Sequence, residues 1–233
     1  MAMNTMWSCI PLACLVTLTL LFSVNAQAEP YVAAQAGVTF PGDLTNVEGI
    51  QTLQGVKTTD LALKTSMEEG IKIGYFLPGS LKWLGVETEA FYTNPHLKQQ
   101  AIMLSGSVGG QSFAPFSSPI DGAHVRMATW AVNLIARYPG VHFQPYAGVG
   151  LGIFWARVSG NSANGIGTAS DTSPGLNVLA GLRYLVSRHL GVFTEYKYNR
   201  ATFDFGQDGG PFPVDTKADY TAHHVVFGVG YHF

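Results

Sequence analysis

Histidine is the side chain best suited to acid–base or metal chemistry near neutral pH, and the 233-residue sequence contains seven of them. Four lie near the predicted ends of chain segments: His96, His124, His223 and His224. A hydrolytic site needs a nucleophile within hydrogen-bonding reach of such a base. No serine lies two residues from His124, and the neighbours of His223 and His224 offer only Thr221 and Asp219. No zinc-ligand spacing recurs either. We therefore expect no catalytic residue, no metal site and no cofactor.

Charged residues are scarce: Asp, Glu, Lys and Arg make up 12% of the chain, with a formal net charge of −2, against about 25% charged in soluble domains. Without a basic stripe, we expect no nucleic-acid binding. Seven charges alternate with apolar residues: Lys72, Glu87, Glu89, Arg137, Arg183, Glu195 and Lys197. Counting back from the turns sets Lys72 nearly opposite Glu87, and Arg183 close to Glu195. We predict that these charges pair inside a narrow barrel, since an unpaired buried charge is costly; a narrow ion path is the alternative.

The segments that carry these charges alternate apolar residues with small or polar ones, which is the period of a β-strand. There are eight: YVAAQAGVTF, EEGIKIGYFL, LGVETEAFY, ATWAVNLIARY, PYAGVGLGIFW, GLNVLAGLRY, GVFTEYKYN and the terminal VVFGVGYHF. A soluble sandwich or lipocalin-like barrel would turn the apolar faces inward, and seven charges would then cover its exterior thinly. The pattern favours an all-β fold, an eight-stranded antiparallel up-and-down transmembrane barrel with a polar, mostly closed interior.

The connections between the segments alternate in length. Three are short, around PGSLKW, PGVHFQP and VSRHLG, and four are long, near 41–66, 94–123, 157–173 and 200–219. In an even-stranded barrel whose two termini share a side, all the long connections lie on the opposite side. This asymmetry is typical of bacterial outer-membrane barrels, with short periplasmic turns and long extracellular loops. His96, His124, His223 and His224 are then predicted near the extracellular rim.

Residues 1–28 have the features of a secretory signal peptide. The apolar run IPLACLVTLTLLFSV precedes Ala26 and Ala28, which form a small-residue cleavage pattern, although no Lys or Arg precedes the run. We therefore expect export and a mature domain of residues 29–233. Both cysteines, Cys9 and Cys14, fall in the signal peptide, so the predicted mature chain has no thiol chemistry.

The segments QPYAGVGLGIF and NLIARYP, the hairpin GIKIGYF…WLGVETEAFY and the terminal aromatic residue resemble the small OmpA/OmpX-type and opacity-type outer-membrane β-barrel proteins. The resemblance covers nearly the whole mature chain. It implies a place in the outer membrane of a Gram-negative envelope, contact with lipid and lipopolysaccharide, and insertion by the barrel-assembly machinery. It also implies that Phe227, Tyr231 and Phe233, on one face of the last segment, form the signal which that machinery reads.

We expect a monomeric, non-enzymatic protein whose function lies in its extracellular loops, because rigid scaffolds commonly carry binding residues on loops. The connection at 94–123 is apolar for an exposed loop, with Ile102, Met103, Leu104, Phe113 and Phe116. These residues form either a contact site for a surface ligand or a lid over the barrel mouth. Two other functions stay open: an outer-membrane lipid-modifying enzyme of the lipid A deacylase or acyltransferase type, and a narrow passive pore.

Overall fold

A computed structural model describes residues 29–49, 55–108, 111–159, 168–205 and 216–233. The predicted signal peptide and both cysteines lie outside these residues. The described ranges contain β1 (Glu29–Pro41), β2 (Thr45–Gly49), β3 (Lys57–Thr58), β4 (Ser66–Phe76), β5 (Leu84–Thr93), β6 (His96–Leu97), β7 (Gln100–Val108), β8 (Gln111–Ile120), β9 (Ala123–Arg137), β10 (Phe143–Ser159), β11 (Thr168–Leu185), β12 (Leu190–Phe205) and β13 (Thr216–His232). Among these residues no helix is both long and apolar enough to cross a membrane.

Eight of the strands close into a barrel. In the order β1, β4, β5, β9, β10, β11, β12 and β13, each strand is antiparallel to the next. The last strand, β13, pairs with β1 from Tyr31↔His232 to Pro41↔Ala222. Closure leaves no free edge, which is what a lipid bilayer demands of strands that cross it. The predicted eight-stranded barrel is confirmed, and each predicted segment matches a different one of these strands to within one residue at its C-terminal end.

The alternation of side chains also follows the prediction. Apolar residues on one face of each strand are exposed, for example Leu151 at 73% and Phe227 at 65%, whereas Lys72 and Lys197 point inward and are buried. The interior is tight enough to require glycine on β10. A Cβ atom added at Gly150 would overlap the carbonyl oxygen of Val132 and the side chain of Asn133 on β9.

The two ends of the barrel differ in their connections. We call them the short-turn end, with the connections at 77–83, 138–142 and 186–189, and the long-connection end. At the long-connection end the predicted loop ranges are too wide, because β10 and β11 stay paired up to Ser159↔Thr168. Likewise β12 and β13 stay paired up to Phe205↔Thr216. Continuing the ladder gives the backbone N–H and C=O groups partners beyond the membrane.

The first two long connections contain short strands of their own. β2 pairs with the N-terminal end of β13, and the sheet continues through β3 and β7 to β8. β6 pairs separately with β9. The connection at 94–123 is therefore mainly a β-hairpin, β7–β8, attached to the barrel.

The interior has two zones, which corrects the prediction of a polar interior. Toward the short-turn end it is lined by charged and amide side chains together with buried aromatic residues, Tyr31, Phe76 and Tyr146. Toward the long-connection end it holds an apolar cluster of inward-facing strand residues and residues of the first two long connections. The cluster includes Leu44, Leu61, Leu63, Leu97, Val125, Met127, Phe154, Val158, Phe203 and Phe205. The physical reason is that the strands and connections beyond the membrane are long enough to bury a core of their own. We call it the upper apolar core.

Candidate functional site

The centre of the polar zone is a network of buried ion pairs. Lys72 Nζ lies 2.7 Å from Glu195 Oε1, 3.0 Å from Glu87 Oε1 and 3.5 Å from Glu89 Oε2. These four side chains are at most 2% exposed. Register places Lys72 directly opposite Glu89 on the β4–β5 ladder, while Glu195 comes from β12 on the far side of the interior. The predicted contact of Lys72 with Glu87 is present.

Lys197 is the second cation of this network. Its Nζ lies 2.7 Å from Glu89 Oε2 and 2.9 Å from Glu68 Oε1, and all three side chains are fully buried. Glu89 therefore joins the two lysines. We call Glu68, Lys72, Glu87, Glu89, Glu195 and Lys197 the buried ion network.

Neutral donors complete the coordination of the carboxylates, which outnumber the lysines four to two. Two phenols and two amides donate hydrogen bonds: Tyr31 to Glu87, Tyr146 to Glu195 at 2.8 Å, and Asn133 and Asn177 to Glu89 at 3.0 and 2.6 Å. Hydrogen-bonded partners are what make buried charge tolerable. The arrangement fills the interior and holds strands from opposite walls together.

The two predicted interior arginines lie outside this network. Arg183 forms no ion pair among the described residues, so its predicted pairing with Glu195 is wrong; its guanidinium lies 4.5 Å from the ring centre of Tyr31. The register explains the difference: Arg183 is opposite Phe193, and Glu195 is opposite Gly181, two residues farther from the short turn. The carboxylate of Glu195 is instead held by Lys72.

Arg137 lies at the short-turn rim. It is ion-paired with Glu29, donates to Gln144 Oε1 at 3.2 Å, and its guanidinium lies 3.6 Å from the ring centre of Phe76. A guanidinium over an aromatic face is attracted by the ring quadrupole. Arg137 and Arg183 thus form a separate layer of cations stacked on aromatic rings.

Sequence reasoning missed Glu68 and misplaced His224. The His224 side chain is 1% exposed inside the barrel, with Nδ1 2.6 Å from Glu68 Oε2 and 2.9 Å from Thr39 Oγ1. The prediction that placed it near the rim with the other histidines is wrong. The sequence pattern could have placed both side chains inside the barrel. Glu68 lies on the same strand face as Lys72, and His224 lies on the same face as Val226.

The other histidines near the long-connection end lie on the outer face. The rings of His96 and His124 are 4.4 Å apart on β6 and β9, and His223 Nδ1 lies 2.6 Å from the Tyr196 hydroxyl. Across the described ranges, no group of three or more His, Cys, Asp or Glu side chains is placed to hold a metal ion.

The β7–β8 hairpin separates the five apolar residues predicted there. Ile102 is 9% exposed and belongs to the upper apolar core, against which Leu104 also packs. Met103 and Phe116 are 45% and 52% exposed, and the ring of Phe113 lies 5.8 Å from that of Phe116. Register sets Phe116 opposite Leu104 and Met103 opposite Ser117, so Met103 lies on the face of the hairpin opposite to that of Ile102, Leu104 and Phe116. Ile102 and Leu104 cover the upper apolar core as a lid, whereas Met103, Phe113 and Phe116 stay accessible. We call these three residues the hairpin surface.

Hydrogen bonds attach the first long connection to the barrel. Thr202 Oγ1 and Asn46 Nδ2 donate to the carboxylate of Asp219 at 2.6 and 2.8 Å. Asn46 occupies a positive φ of 53°, a conformation that asparagine tolerates better than most residues. These two hydrogen bonds lower the pKa of Asp219, so the carboxylate stays ionised and keeps β2 against β13.

The residues of the predicted assembly signal share the outer face at the end of β13. Phe227, Tyr231 and Phe233 are 65%, 47% and 67% exposed. The backbone N–H of Phe233 donates to Pro30 O at 3.1 Å, so the chain is paired with β1 to its last residue.

Comparison with known proteins agrees with this geometry. Residues 14–233 match the family described as "Outer membrane protein beta-barrel domain". The fold is similar to that of OprG from Pseudomonas aeruginosa, at 16% identity and a TM-score of 0.54 over 89% of this chain and 96% of that one. It is also similar to Neisserial surface protein A, at 16% identity and a TM-score of 0.50 over 88% and 99% of the two chains. No curated protein matches the sequence.

Proposed function

Because the chain belongs to the outer membrane protein β-barrel family, we propose that it is a monomeric outer-membrane barrel that acts through contacts at its extracellular end and catalyses no reaction. Outer-membrane barrels place their short turns in the periplasm and their long loops outside the cell. We therefore assign the short-turn end to the periplasm and the long-connection end to the cell exterior, and call the latter the extracellular end. The observation that carries the proposal is the hairpin surface, a group of accessible apolar side chains on the two faces of a hairpin attached to a rigid, closed scaffold. Exposed apolar residues grouped in this way mark contact sites.

The filled interior argues against a passive pore. The side chains of the buried ion network are at most 2% exposed, and the upper apolar core lies between them and the extracellular end. An ion would have to displace paired charges and then cross an apolar layer. An eight-stranded barrel is just wide enough for its own side chains, so no space is left for an ion to pass beside them.

The histidine geometry argues against a hydrolase or acyltransferase. Thr39, His224 and Glu68 resemble a nucleophile–base–acid set, but Thr39 Oγ1 and Glu68 Oε2 both approach the same ring nitrogen, Nδ1. A relay needs the nucleophile on one nitrogen and the orienting acid on the other. The three residues are also 0–1% exposed, so a lipid cannot reach them.

The hairpin surface can be tested with a matched pair of variants. Cells displaying the wild type or Met103→Ser with Phe116→Ser are applied to an array of immobilised extracellular-matrix glycoproteins. We expect the wild type to bind one or more of these probes and the double variant to lose most of that binding, because both side chains are exposed. Binding that is absent from wild-type cells, or unchanged in the double variant, would contradict the proposal.

Ile102→Ser is the control for the lid role. Its side chain is buried in the upper apolar core, so the substitution should lower protease resistance of the extracellular end while leaving Met103 and Phe116 in place. If only Ile102→Ser reduced binding, the hairpin would act as a lid and not as a contact surface. Deacylation or acyl transfer on added lipid A, followed by mass spectrometry, tests the non-enzymatic part of the proposal.

A further inference from the structure

Two arginines face each other on the outer surface of the barrel. Arg126 on β9 and Arg157 on β10 are directly opposite in register, and both side chains are exposed on the face that also carries Trp130 and Trp155. Arg126 lies two positions from Ala128 on β9, and Arg157 lies two positions from Trp155 on β10. In both strands the arginine is the residue nearer the long-connection end. At about 3.4 Å per residue and a tilt of about 40°, the pair lies about 5 Å above those residues.

The pair lacks the carboxylate that would normally neutralise it. In the described ranges neither Arg126 nor Arg157 forms an ion pair, and Arg157 has Ser170 opposite it on its other side. Like charges directly opposite on neighbouring strands destabilise each other. His124, the next outward residue on β9, adds no negative charge. The position therefore favours an anion bound between the two guanidinium groups.

An apolar groove of about 520 Å³ lies directly below the pair. Its walls include Ile71, Tyr92, Ala128, Trp130 and Trp155, on four neighbouring strands. Glu69, on the far wall, is its one carboxylate and comes from β4, two strands away from Arg126. Tyrosine and tryptophan on the outer face are typical of the level where lipid headgroups meet acyl chains. The groove is thus placed for an acyl chain and the arginines for a headgroup.

We propose that Arg126 and Arg157 bind a phosphate of the lipid A headgroup in the outer leaflet, with one acyl chain in the groove below. Guanidinium groups recognise phosphate through paired, charge-assisted hydrogen bonds, and two arginines on adjacent strands present two such groups. The phosphate neutralises the like-charged pair, and the Trp130 and Trp155 rings contact the chain. This site is separate from the hairpin surface and does not depend on its ligand.

The test uses protein refolded from inclusion bodies, so that no bacterial lipid co-purifies, in nanodiscs of phosphatidylcholine. Bound lipid is counted by native mass spectrometry during titration with bisphosphorylated lipid A, dephosphorylated lipid A or inorganic phosphate. We expect bisphosphorylated lipid A to bind, and Arg126→Gln with Arg157→Gln to raise its Kd at least about tenfold, since both charge-assisted contacts to the phosphate are lost. Dephosphorylated lipid A should bind wild type as weakly as lipid A binds the double variant.

Three further variants sharpen the result. Arg200→Gln removes another outward arginine, one that lies near Asp219, and should leave the Kd unchanged. Arg126→Lys with Arg157→Lys should retain most of the affinity, and Ala128→Trp should fill the groove and weaken lipid A binding. Heat-modifiable gel mobility checks folding, and the single Gln variants replace the double variant if it fails to fold.

Three results would overturn the proposal. If the Gln double variant retained lipid A as the wild type does, or Arg200→Gln lost as much, the pair would not be the site. If inorganic phosphate displaced lipid A at millimolar concentration and Ala128→Trp had no effect, the pair would be a free-anion site and the lipid assignment would be wrong.

Discussion

At the scale of single residues, the buried ion network determines how the interior is held together. Its lysines and carboxylates are nearly or fully buried, so each depends on partners from other strands. Removing one member of a buried pair leaves an uncompensated charge, which costs far more than losing an exposed pair. The chain contains both kinds of pair, because Lys57 and Glu48 form an ion pair with side chains 66% and 47% exposed.

Lys197→Met should therefore lower the free energy of unfolding by about 3–5 kcal/mol, because Glu68 and Glu89 lose their nearest cation. Lys57→Met is the matched control and should change it by at most about 1 kcal/mol. Urea unfolding of the refolded proteins in detergent micelles, followed by tryptophan fluorescence, measures both. Equal effects of the two substitutions would show that the interior network does not stabilise the barrel.

At the scale of the strand, β13 makes the most pairings, since it pairs with β12, closes the barrel against β1 and carries β2 at the long-connection end. Its last side chain contributes little to this pairing. Phe233 is 67% exposed, and its contact with β1 is through its backbone N–H to Pro30. We therefore expect the Phe233 side chain to contribute to recognition during assembly and little to the stability of the finished barrel.

We expect Phe233→Ala to reduce the amount of folded protein in the outer membrane severalfold while leaving refolded stability within about 0.5 kcal/mol, as for other surface substitutions. The comparison is Tyr138→Ala, which removes an equally exposed aromatic, at 68%, from the same end of the barrel. Heat-modifiable mobility in membrane fractions reports assembly, and urea unfolding reports stability. An assembly defect of the same size in Tyr138→Ala would assign the effect to the aromatic girdle and not to the C-terminal signal.

At the scale of the whole molecule, the barrel joins a charged layer, an aromatic layer and an apolar core along one axis. The aromatic layer of Tyr31, Phe76 and Tyr146 with the arginines lies nearest the short-turn end, and the buried ion network and upper apolar core follow. Each layer fills the section it occupies. For this reason we place both proposed contacts on outward surfaces, the hairpin surface and the arginine pair above its groove.

A closed axis predicts that the purified monomer shows no steady conductance in planar lipid bilayers. Ions would have to pass side chains of the network that are at most 2% exposed and then the apolar core. Single-channel recording checks this, with the boiled, unfolded protein as the background. A reproducible unit conductance from the folded protein would contradict the closed interior and favour the alternative function, a narrow passive pore.

The sequence by itself determined the number of barrel strands, their two faces and the alternation of short and long connections. These follow from local rules, because a period of two sends neighbouring side chains to opposite faces regardless of the rest of the chain. The inward positions of Lys72, Glu89 and Lys197 were predictable for this reason. So was the contact between Lys72 and Glu87, which are joined by one short turn.

Only the tertiary structure decided which interior groups meet across the barrel. Lys72 and Glu195 are 123 residues apart, and their contact depends on strand stagger and side-chain length, neither of which a local pattern contains. The same stagger sets Arg183 against Tyr31 and brings His224 to Glu68. Likewise, one hairpin strand turns Ile102 inward and Met103 outward, because attachment through β3 and β2 to β13 orients the strand that carries both.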